Sequence, residues 1–168
     1  MNGSELDGSY TLSAWVKRSS TTNTSAHFFY IGVNGTGDSI GFRHHSSTGY
    51  RLYHYDQGTA EATSQPGNLN EWRHYVGTYD GTNRQIYIDG VLVDVTTPAP
   101  TGSLGIPDNP TFSLGVRHQN LGNAGEYLHG YMSNPKIYSV ALEPSEVKKL
   151  YNLGRTGRSM VISDTAVG

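Results

Sequence analysis

Residues 71–95 constrain the fold most, because the stretch EWRHYVGTYDGTNRQIYIDGVLVDV contains three consecutive strand patterns. Residues 72–79 and 84–88 each alternate between two unlike sets of side chains, which is the period-two pattern of a strand. Asp89-Gly90 is a favoured pair for the two-residue turn of a β-hairpin, because both residues take positive φ there. The stretch therefore predicts a three-stranded antiparallel meander that ends in the valine-rich segment 91–95.

Strand patterns recur along most of the chain. They cover residues 10–16, 27–33, 39–44, 50–55, 111–118 and 127–138. In 111–118 the alternation directs Phe112, Leu114 and Val116 toward the core. Pro135 cannot donate a ladder hydrogen bond, so an edge position or a bulge is expected there.

The segments between these strands are polar or rich in proline. Residues 56–70 and 119–125 are expected to be polar connections, and residues 97–110, with four prolines, an irregular crossover. One helix is predicted after residue 143, because Pro144 suits the first helical position and Glu146 the third position of a capping box. Gly154 is expected to end this helix, and residues 159–163 form a further candidate strand.

Composition supports a single all-β domain. The chain has 168 residues, 21 glycines and seven prolines, which is enough length for one core and enough turn residues for a β-sandwich. Its net charge of −2 provides no field that would attract nucleic acid or an anionic membrane. No apolar run is long enough to span a bilayer, and the lack of cysteine excludes disulfides and thiolate metal sites.

Several motifs together resemble those of laminin-G-like domains in the concanavalin A-like lectin/glucanase superfamily. They are YTLSAWV at 10–16, WRHYVGTYDG at 72–81, QIYIDGVLV at 85–93, the Leu-Gly pair at 114–115 and the segment at 129–151. The resemblance implies a two-sheet antiparallel β-sandwich of the jelly-roll type, with one short C-terminal helix. It implies one domain over residues 1–168, which we expect to be excised from a longer chain.

The C-terminal residues NLGRTGRS are similar to the exits of such modules in viral and phage fibre proteins. This likeness implies a module of a viral fibre or a surface adhesin, located on the virion surface or outside the cell. The expected partner is a glycan or a cell-surface receptor, without nucleic acid and without membrane insertion. The parent protein is also a candidate homo-oligomer.

Hydrolysis is the first alternative, because the superfamily includes glucanases. Retaining glycosidases need two carboxylates about 5 Å apart, which related glucanases supply from an E-x-D-x-x-E strand motif. Glu5-Leu6-Asp7 is the E-x-D here, but Tyr10 occupies the position of the second glutamate. We therefore expect a protein that is not an enzyme, with a divergent glycoside hydrolase as an alternative.

Metal binding is the second question. His44 and His45 are adjacent and would point to opposite faces of a strand, which prevents joint ligation. Many relatives hold calcium through loop oxygens, but Ser133 stands where many of them carry an acidic residue. Calcium is the one candidate cofactor and no metal site is assigned; the candidate oxygen donors are Asp38, Asp108 and Glu126.

The candidate ligand site combines flat rings, which stack on the apolar faces of sugars, with donors for sugar hydroxyls. Its arginines would also favour an acidic glycan. The proposed residues lie on strands or strand ends: Arg43, His44, Tyr53, His54, Tyr55, Arg117 and His118. The alternative is that these side chains pack the sheet and the module is a structural spacer or an oligomerisation module without a ligand.

Overall fold

A computed structural model describes residues 5–6, 8–19, 25–32, 39–45, 49–54, 59–62, 69–96, 104–106, 108–120 and 123–158. The described residues form two five-stranded antiparallel sheets, a two-stranded ribbon and one helix. The elements in chain order are β1 (Tyr10–Arg18), β2 (Ser25–Gly32), β3 (Ser39–His45), β4 (Gly49–His54), β5 (Thr59–Ala62), β6 (Trp72–Tyr79), β7 (Arg84–Ile88), β8 (Val91–Thr96), β9 (Thr111–Leu114), β10 (Arg117–Asn120), β11 (Asn123–Gly125), β12 (Gly130–Tyr138) and α1 (Pro144–Arg158).

The strand order defines two sheets with different neighbours. Sheet A runs β12-β1-β6-β7-β8, sheet B runs β5-β4-β3-β2-β9, and β10 pairs with β11. All recorded strand pairs are antiparallel. The predicted two-sheet antiparallel β-sandwich is therefore confirmed, with β1 placed between the last strand and the meander.

The predicted meander is confirmed as β6, β7 and β8. Asp89 and Gly90 both have positive φ, at 53° and 77°, as the two-residue turn requires. The preceding turn is held by Asp80, whose Oδ1 accepts the backbone N–H groups of Thr82 at 2.7 Å and Asn83 at 2.6 Å. Local turn chemistry therefore fixes the register of these three strands.

The core lies between the two sheets and follows the alternation of their strands. In β1, Tyr10, Leu12 and Ala14 face the core, whereas Trp15 points to the outer side of sheet A. The other large core side chains come from both sheets and include Phe28, Phe42, Leu52, Tyr75 and Ile86. Burial of these apolar side chains on two facing layers is what holds the sandwich together.

Two predictions for connecting segments and one for a strand were wrong. A short strand, β5, lies inside residues 56–70 and pairs with β4. The predicted strand 111–118 breaks into β9 and β10 at Gly115, whose φ is +71°. Within the predicted loop 119–125, residues 119–120 belong to β10 and residues 123–125 form β11, because sequence patterns do not show strand pairing between short polar segments.

The burial of β9 departs from the prediction, although Phe112 and Leu114 do lie on the core face of sheet B. Phe112 is 42% and Leu114 50% exposed, whereas Ser113 is buried. Phe112 pairs with Ile31 of β2 and so shares its face of the sheet. Because β9 is an edge strand, the facing sheet does not cover these two side chains fully.

Pro135 lies in the edge strand β12, and the prediction of an edge or a bulge is confirmed. The pairing of β12 with β1 shifts between Ser13 and Trp15, opposite Asn134 and Pro135. Asn134 has a φ of +57°, as an irregularity at this point requires.

Helix α1 begins as predicted and ends later than predicted. Glu146 Oε2 accepts the backbone N–H of Glu143 at 2.9 Å, which is the reciprocal bond of a capping box. The helix continues through Gly154 to Arg158. A Cβ at position 154 would collide with the indole nitrogen of Trp15, so the glycine allows the helix to approach the sheet rather than ending it.

The candidate strand at residues 159–163 lies outside the described residues. No helix in the described parts of the chain is long and apolar enough to cross a membrane.

Candidate functional site

Five side chains converge on the outer face of sheet B, and we call them the arginine face. Three were predicted as ligand contacts: Arg43 on β3, Tyr53 on β4 and Arg117 at the start of β10. They meet His27 of β2 and Glu126, which follows β11. The structure therefore brings three of the seven predicted residues together.

Glu126 is placed by its backbone as well as by its side chain. Its φ is +54°, a left-handed conformation that a residue other than glycine adopts only when its surroundings fix it. Its carbonyl oxygen accepts the N–H of His27 at 3.1 Å, and Leu128 donates its N–H to the carbonyl of Gly115 at 2.8 Å. These bonds hold the segment after β11 against sheet B.

The Glu126 carboxylate is the centre of the arginine face. Arg43 Nη1 donates to Oε1 at 3.3 Å and to Oε2 at 3.1 Å. Arg117 Nη1 lies 3.6 Å from Oε2, and His27 Nδ1 lies 3.1 Å from it. The guanidinium groups are fixed in position while their side chains stay partly exposed, 15% for Arg43 and 19% for Arg117.

Tyr53 takes part in the polar contacts of the arginine face through its hydroxyl group, and its ring is largely covered. The hydroxyl lies 2.8 Å from His27 Nε2, and the guanidinium of Arg43 lies over the ring at 5.1 Å from its centroid. The ring also covers Gly41, where any Cβ would collide with it. Tyr53 is only 8% exposed, so its ring is not an open stacking surface for a sugar.

The protonation states leave the arginine face with a positive charge. Partial burial alone would raise the pKa of Glu126, but His27, Arg43 and Arg117 outweigh it and lower that pKa to about 2. Burial lowers the pKa of His27 despite the neighbouring carboxylate. At neutral pH two arginines and one glutamate are therefore ionised, which gives one net positive charge. Burial raises the pKa of Tyr53, so its phenol stays protonated and is a poor nucleophile.

His44 and His54 were expected on the same surface, and this placement is wrong. His54 lies inside the sandwich, where Nε2 lies 2.6 Å from the Tyr10 hydroxyl and Nδ1 accepts from Arg84 Nε at 3.2 Å. His44 also points inward and packs edge-on against Tyr50 at 5.3 Å between ring centroids. Burial, followed by a nearby arginine, lowers the pKa to about 3 for His54 and about 4 for His44. Both histidines share the strand face of core residues. Tyr10 and Arg84 hold His54 there through hydrogen bonds, whereas His44 is held by ring packing against Tyr50.

The last two predicted residues are not part of this group. His118 follows Arg117 directly on β10, so its side chain points to the other side of the ribbon. Tyr55 lies outside the described residues.

His27 was missed as a member of the group, and Glu126 was considered only as a calcium ligand. A signal for His27 existed, because an ionisable residue at the start of an otherwise buried strand needs a polar partner. Its partner is 99 positions away in the sequence, and no local pattern indicates the pairing.

The candidate calcium donors do not fit a metal site. The Glu126 carboxylate is already held by arginines, and Asp108 is exposed. Asp38 lies outside the described residues. No group of three or more His, Cys, Asp or Glu side chains is arranged to bind a metal within the described part of the chain.

The two facing antiparallel sheets define a concanavalin A-like β-sandwich domain. A laminin G-type family model, described as the concanavalin A-like lectin/glucanases superfamily, matches residues 2–148. The chain belongs to this superfamily. A comparison with curated protein sequences found no match.

Solved structures show the same fold at low sequence identity. Domain 4 of AbnA, a GH43 extracellular arabinanase from Geobacillus stearothermophilus solved with arabinotriose, has a TM-score of 0.68 at 21% identity, over 88% of this chain and 69% of that one. The heptameric SAP-like pentraxin from Limulus polyphemus has a TM-score of 0.68 at 14% identity, over 86% and 70%.

A third similar structure is that of botulinum neurotoxin type C, whose cell entry depends on interaction with two ganglioside molecules. Its TM-score is 0.60 at 14% identity, over 88% of this chain and 36% of that one. At these identities the likeness shows the fold alone.

Proposed function

We propose that this chain is a non-catalytic module that binds glycans through the arginine face. The observation that carries the proposal is the pair of arginines, Arg43 and Arg117, held by one carboxylate on a rigid sheet with a net positive charge. Membership of a superfamily of lectins and glucanases supports it. So do the sugar-bound arabinanase domain and the ganglioside-dependent toxin among the similar structures.

The chemistry of the arginine face favours an acidic glycan. A guanidinium group offers planar donors that match a carboxylate or sulfate, and Glu126 occupies only part of those donors. Because Glu126 fixes both groups, little side-chain entropy is lost when a ligand binds. Recognition would therefore rest on charge and hydrogen bonds rather than on stacking against Tyr53.

Such a shallow surface gives weak binding at a single site. Several copies on one particle would raise the overall avidity by orders of magnitude without a new contact. We propose that the module belongs to a viral fibre or surface adhesin that displays several copies to cell-surface glycans, on the virion surface or outside the cell.

The geometry of the arginine face supports binding over catalysis. The one carboxylate of this group is ion-paired, and the phenol of Tyr53 is buried and protonated at neutral pH. Glycoside hydrolysis needs two carboxyl groups on either side of the scissile bond, and Glu126 has no second carboxylate beside it among the described contacts of this face.

The test is a glycan array with a multimerised chain, followed by titration of 3′-sialyllactose against lactose, its uncharged counterpart. We expect binding of acidic glycans that weakens with added salt, and at least tenfold weaker binding by Arg117→Gln and Arg43→Gln. Lys149→Gln, which removes the same charge from the exposed side of α1, is the matched control. Failure to bind any acidic glycan would favour a structural spacer. Release of reducing sugar from a polysaccharide panel would overturn the non-catalytic assignment.

A further inference from the structure

An open cleft lies on the opposite side of the molecule from the arginine face. It is formed where the last turns of α1 cross the outer face of sheet A, beside the start of β6 and the β7–β8 turn. Its volume is about 310 Å³, at the lower end of the range for small-molecule sites. This volume suits a ligand of one or two sugar rings rather than a long segment of polymer.

The aromatic lining of the cleft supplies the stacking surface that the arginine face lacks. Both tryptophans of the chain, Trp15 and Trp72, line it together with Tyr151. Trp15 is 5% exposed, whereas Trp72 and Tyr151 are partly exposed. Tyr151 stacks on Trp15 with the ring planes 18° apart, and the guanidinium of Arg155 lies over the Tyr151 ring at 5.9 Å from its centroid. These contacts fix the wall of the cleft and cover both rings. We therefore assign the stacking contact with the apolar C–H face of a pyranose to the partly exposed Trp72.

Three polar side chains that line the cleft are linked by hydrogen bonds. Arg73 Nη1 donates to Asp89 Oδ2 at 2.7 Å, and its Nη2 donates to Glu71 Oε2 at 3.3 Å. Asp89 Oδ1 also accepts the backbone N–H of His74 at 2.9 Å. These groups are held on strand ends, while their side chains remain 33% exposed for Arg73 and 59% for Glu71. They can offer further donors and acceptors to hydroxyl groups without rearranging.

The charges of the cleft cancel. Arg73 and Arg155 are its cations, and Glu71 and Asp89 are its anions. An ionic ligand of either sign would therefore gain no net electrostatic attraction from the cleft. The lining matches an uncharged ligand with one apolar face and several hydroxyls.

We propose that this cleft is a second ligand site, which binds an uncharged mono- or disaccharide. It is independent of the arginine face, because it lies on the outer side of the other sheet and uses none of the same residues. The two sites would differ in ligand class, with acidic sugars on sheet B and neutral sugars beside α1.

The position of the tryptophans provides a direct test. Since both line the cleft and none lies on the arginine face, tryptophan emission reports on the cleft. We would titrate the full chain with lactose, maltose, cellobiose and N,N′-diacetylchitobiose at millimolar concentrations, and with 3′-sialyllactose. A saturable change in emission with at least one of the neutral disaccharides, and at least fivefold weaker binding of the sialylated form than of lactose if lactose binds, is expected. The absence of a saturable change with all four neutral sugars overturns the proposal.

Variants separate the cleft from other causes of an emission change. Trp72→Ala and Glu71→Ala should each weaken sugar binding at least fivefold, measured by calorimetry. Arg155→Gln should weaken it severalfold, whereas Lys149→Gln, the same charge change on the same helix away from the cleft, should not alter it. Binding that persists unchanged in the Trp72 and Glu71 variants would place the sugar elsewhere. Arg117→Gln, by contrast, tests only the arginine face, so the two proposals fail separately.

Discussion

Tyr151 of α1 stacks on Trp15 of β1, with ring centroids 5.6 Å apart and ring planes 18° apart. This contact joins the second half of the helix to the outer face of sheet A. The first half is joined by Val147, which is buried with Val76 and Tyr87. The helix is therefore part of the domain's packing and not an appendage to it.

Replacing Tyr151 tests this attachment. Tyr151→Ala should lower the free energy of unfolding by about 1–3 kcal/mol, because a ring contact and its buried area are lost. Tyr151→Phe keeps the stacked ring and should stay within about 0.5 kcal/mol of the parent. Urea denaturation followed by circular dichroism gives both values. Tyr131→Ala, at a residue that is 64% exposed, is the control; an equal loss in that variant would contradict the special role of the stack.

The buried His54 makes stability depend on pH. Its pKa in the fold is about 3, whereas the ordinary value is 6.5. As pH falls below 6.5, the unfolded chain takes up a proton that the folded chain does not, so stability falls. The loss from His54 alone approaches about 1.4 kcal/mol per pH unit between pH 6 and 4.

His54→Gln should therefore lower the slope of unfolding free energy against pH in this window. The expected decrease corresponds to the uptake of nearly one proton, about 1.4 kcal/mol per pH unit. His44 and His27, whose pKa values are also lowered, add to this slope, and the lowered pKa values of Glu126 and Asp80 add to it towards pH 4. Urea titrations at pH 7, 6, 5 and 4 measure the effect. An unchanged slope in the variant would show that His54 is protonated in the folded protein.

Glu126 is expected to hold the ribbon of β10 and β11 against sheet B. Glu126→Gln removes the carboxylate from two arginines and should cost about 1–2 kcal/mol, a value reduced because the group is partly exposed. Amide hydrogen exchange at Arg117, His118 and Gly125 should accelerate. Asp108→Asn, at an exposed carboxylate, is the control, and equal exchange rates in the two variants would contradict this role.

Gly90 is required by the turn between β7 and β8. Its φ is +77°, and a Cβ there would lie 3.2 Å from Tyr151 Cβ and 3.4 Å from Lys148 Cα. Gly90→Ala should therefore destabilise the fold by about 1–2 kcal/mol. Gly8→Ala, at a glycine with no atom within 4 Å of the added Cβ, should change stability by less than about 0.5 kcal/mol. Thermal unfolding of both variants provides the comparison.

The fold was predictable where local chemistry and sequence periodicity agree. The alternation in β6 and β7, the Asp89-Gly90 turn and the capping box at Glu146 are all short-range signals. The split of the predicted strand 111–118, the short strand β5 and the full length of α1 depend on partners far away in the sequence. Gly154 shows the reason: it resembles a helix stop, but its actual role is contact with Trp15.

The candidate site was less predictable than the fold. Alternation assigns His44 and His54 to the faces of Phe42 and Leu52, and these faces are buried. Rings and polar tips alone suggested a surface for ligands, but seven tyrosines are 8% exposed or less: Tyr10, Tyr30, Tyr50, Tyr53, Tyr75, Tyr79 and Tyr87. Their hydroxyls serve internal bonds such as that between Tyr50 and Tyr75 at 2.7 Å. Which polar rings find internal partners is decided by the pairing of distant strands.

The close approach of Gly154 to Trp15 has a consequence for how ligand preference could diverge among proteins of this architecture. The width of the gap beside α1 is limited by a backbone contact, since no side chain separates the helix from the indole at this point. A single methyl group at position 154 would push α1, one wall of the cleft, away from sheet A. The side chains that line the cleft would keep their chemical identity. Selectivity for ligand size can therefore evolve at a residue that never touches the ligand.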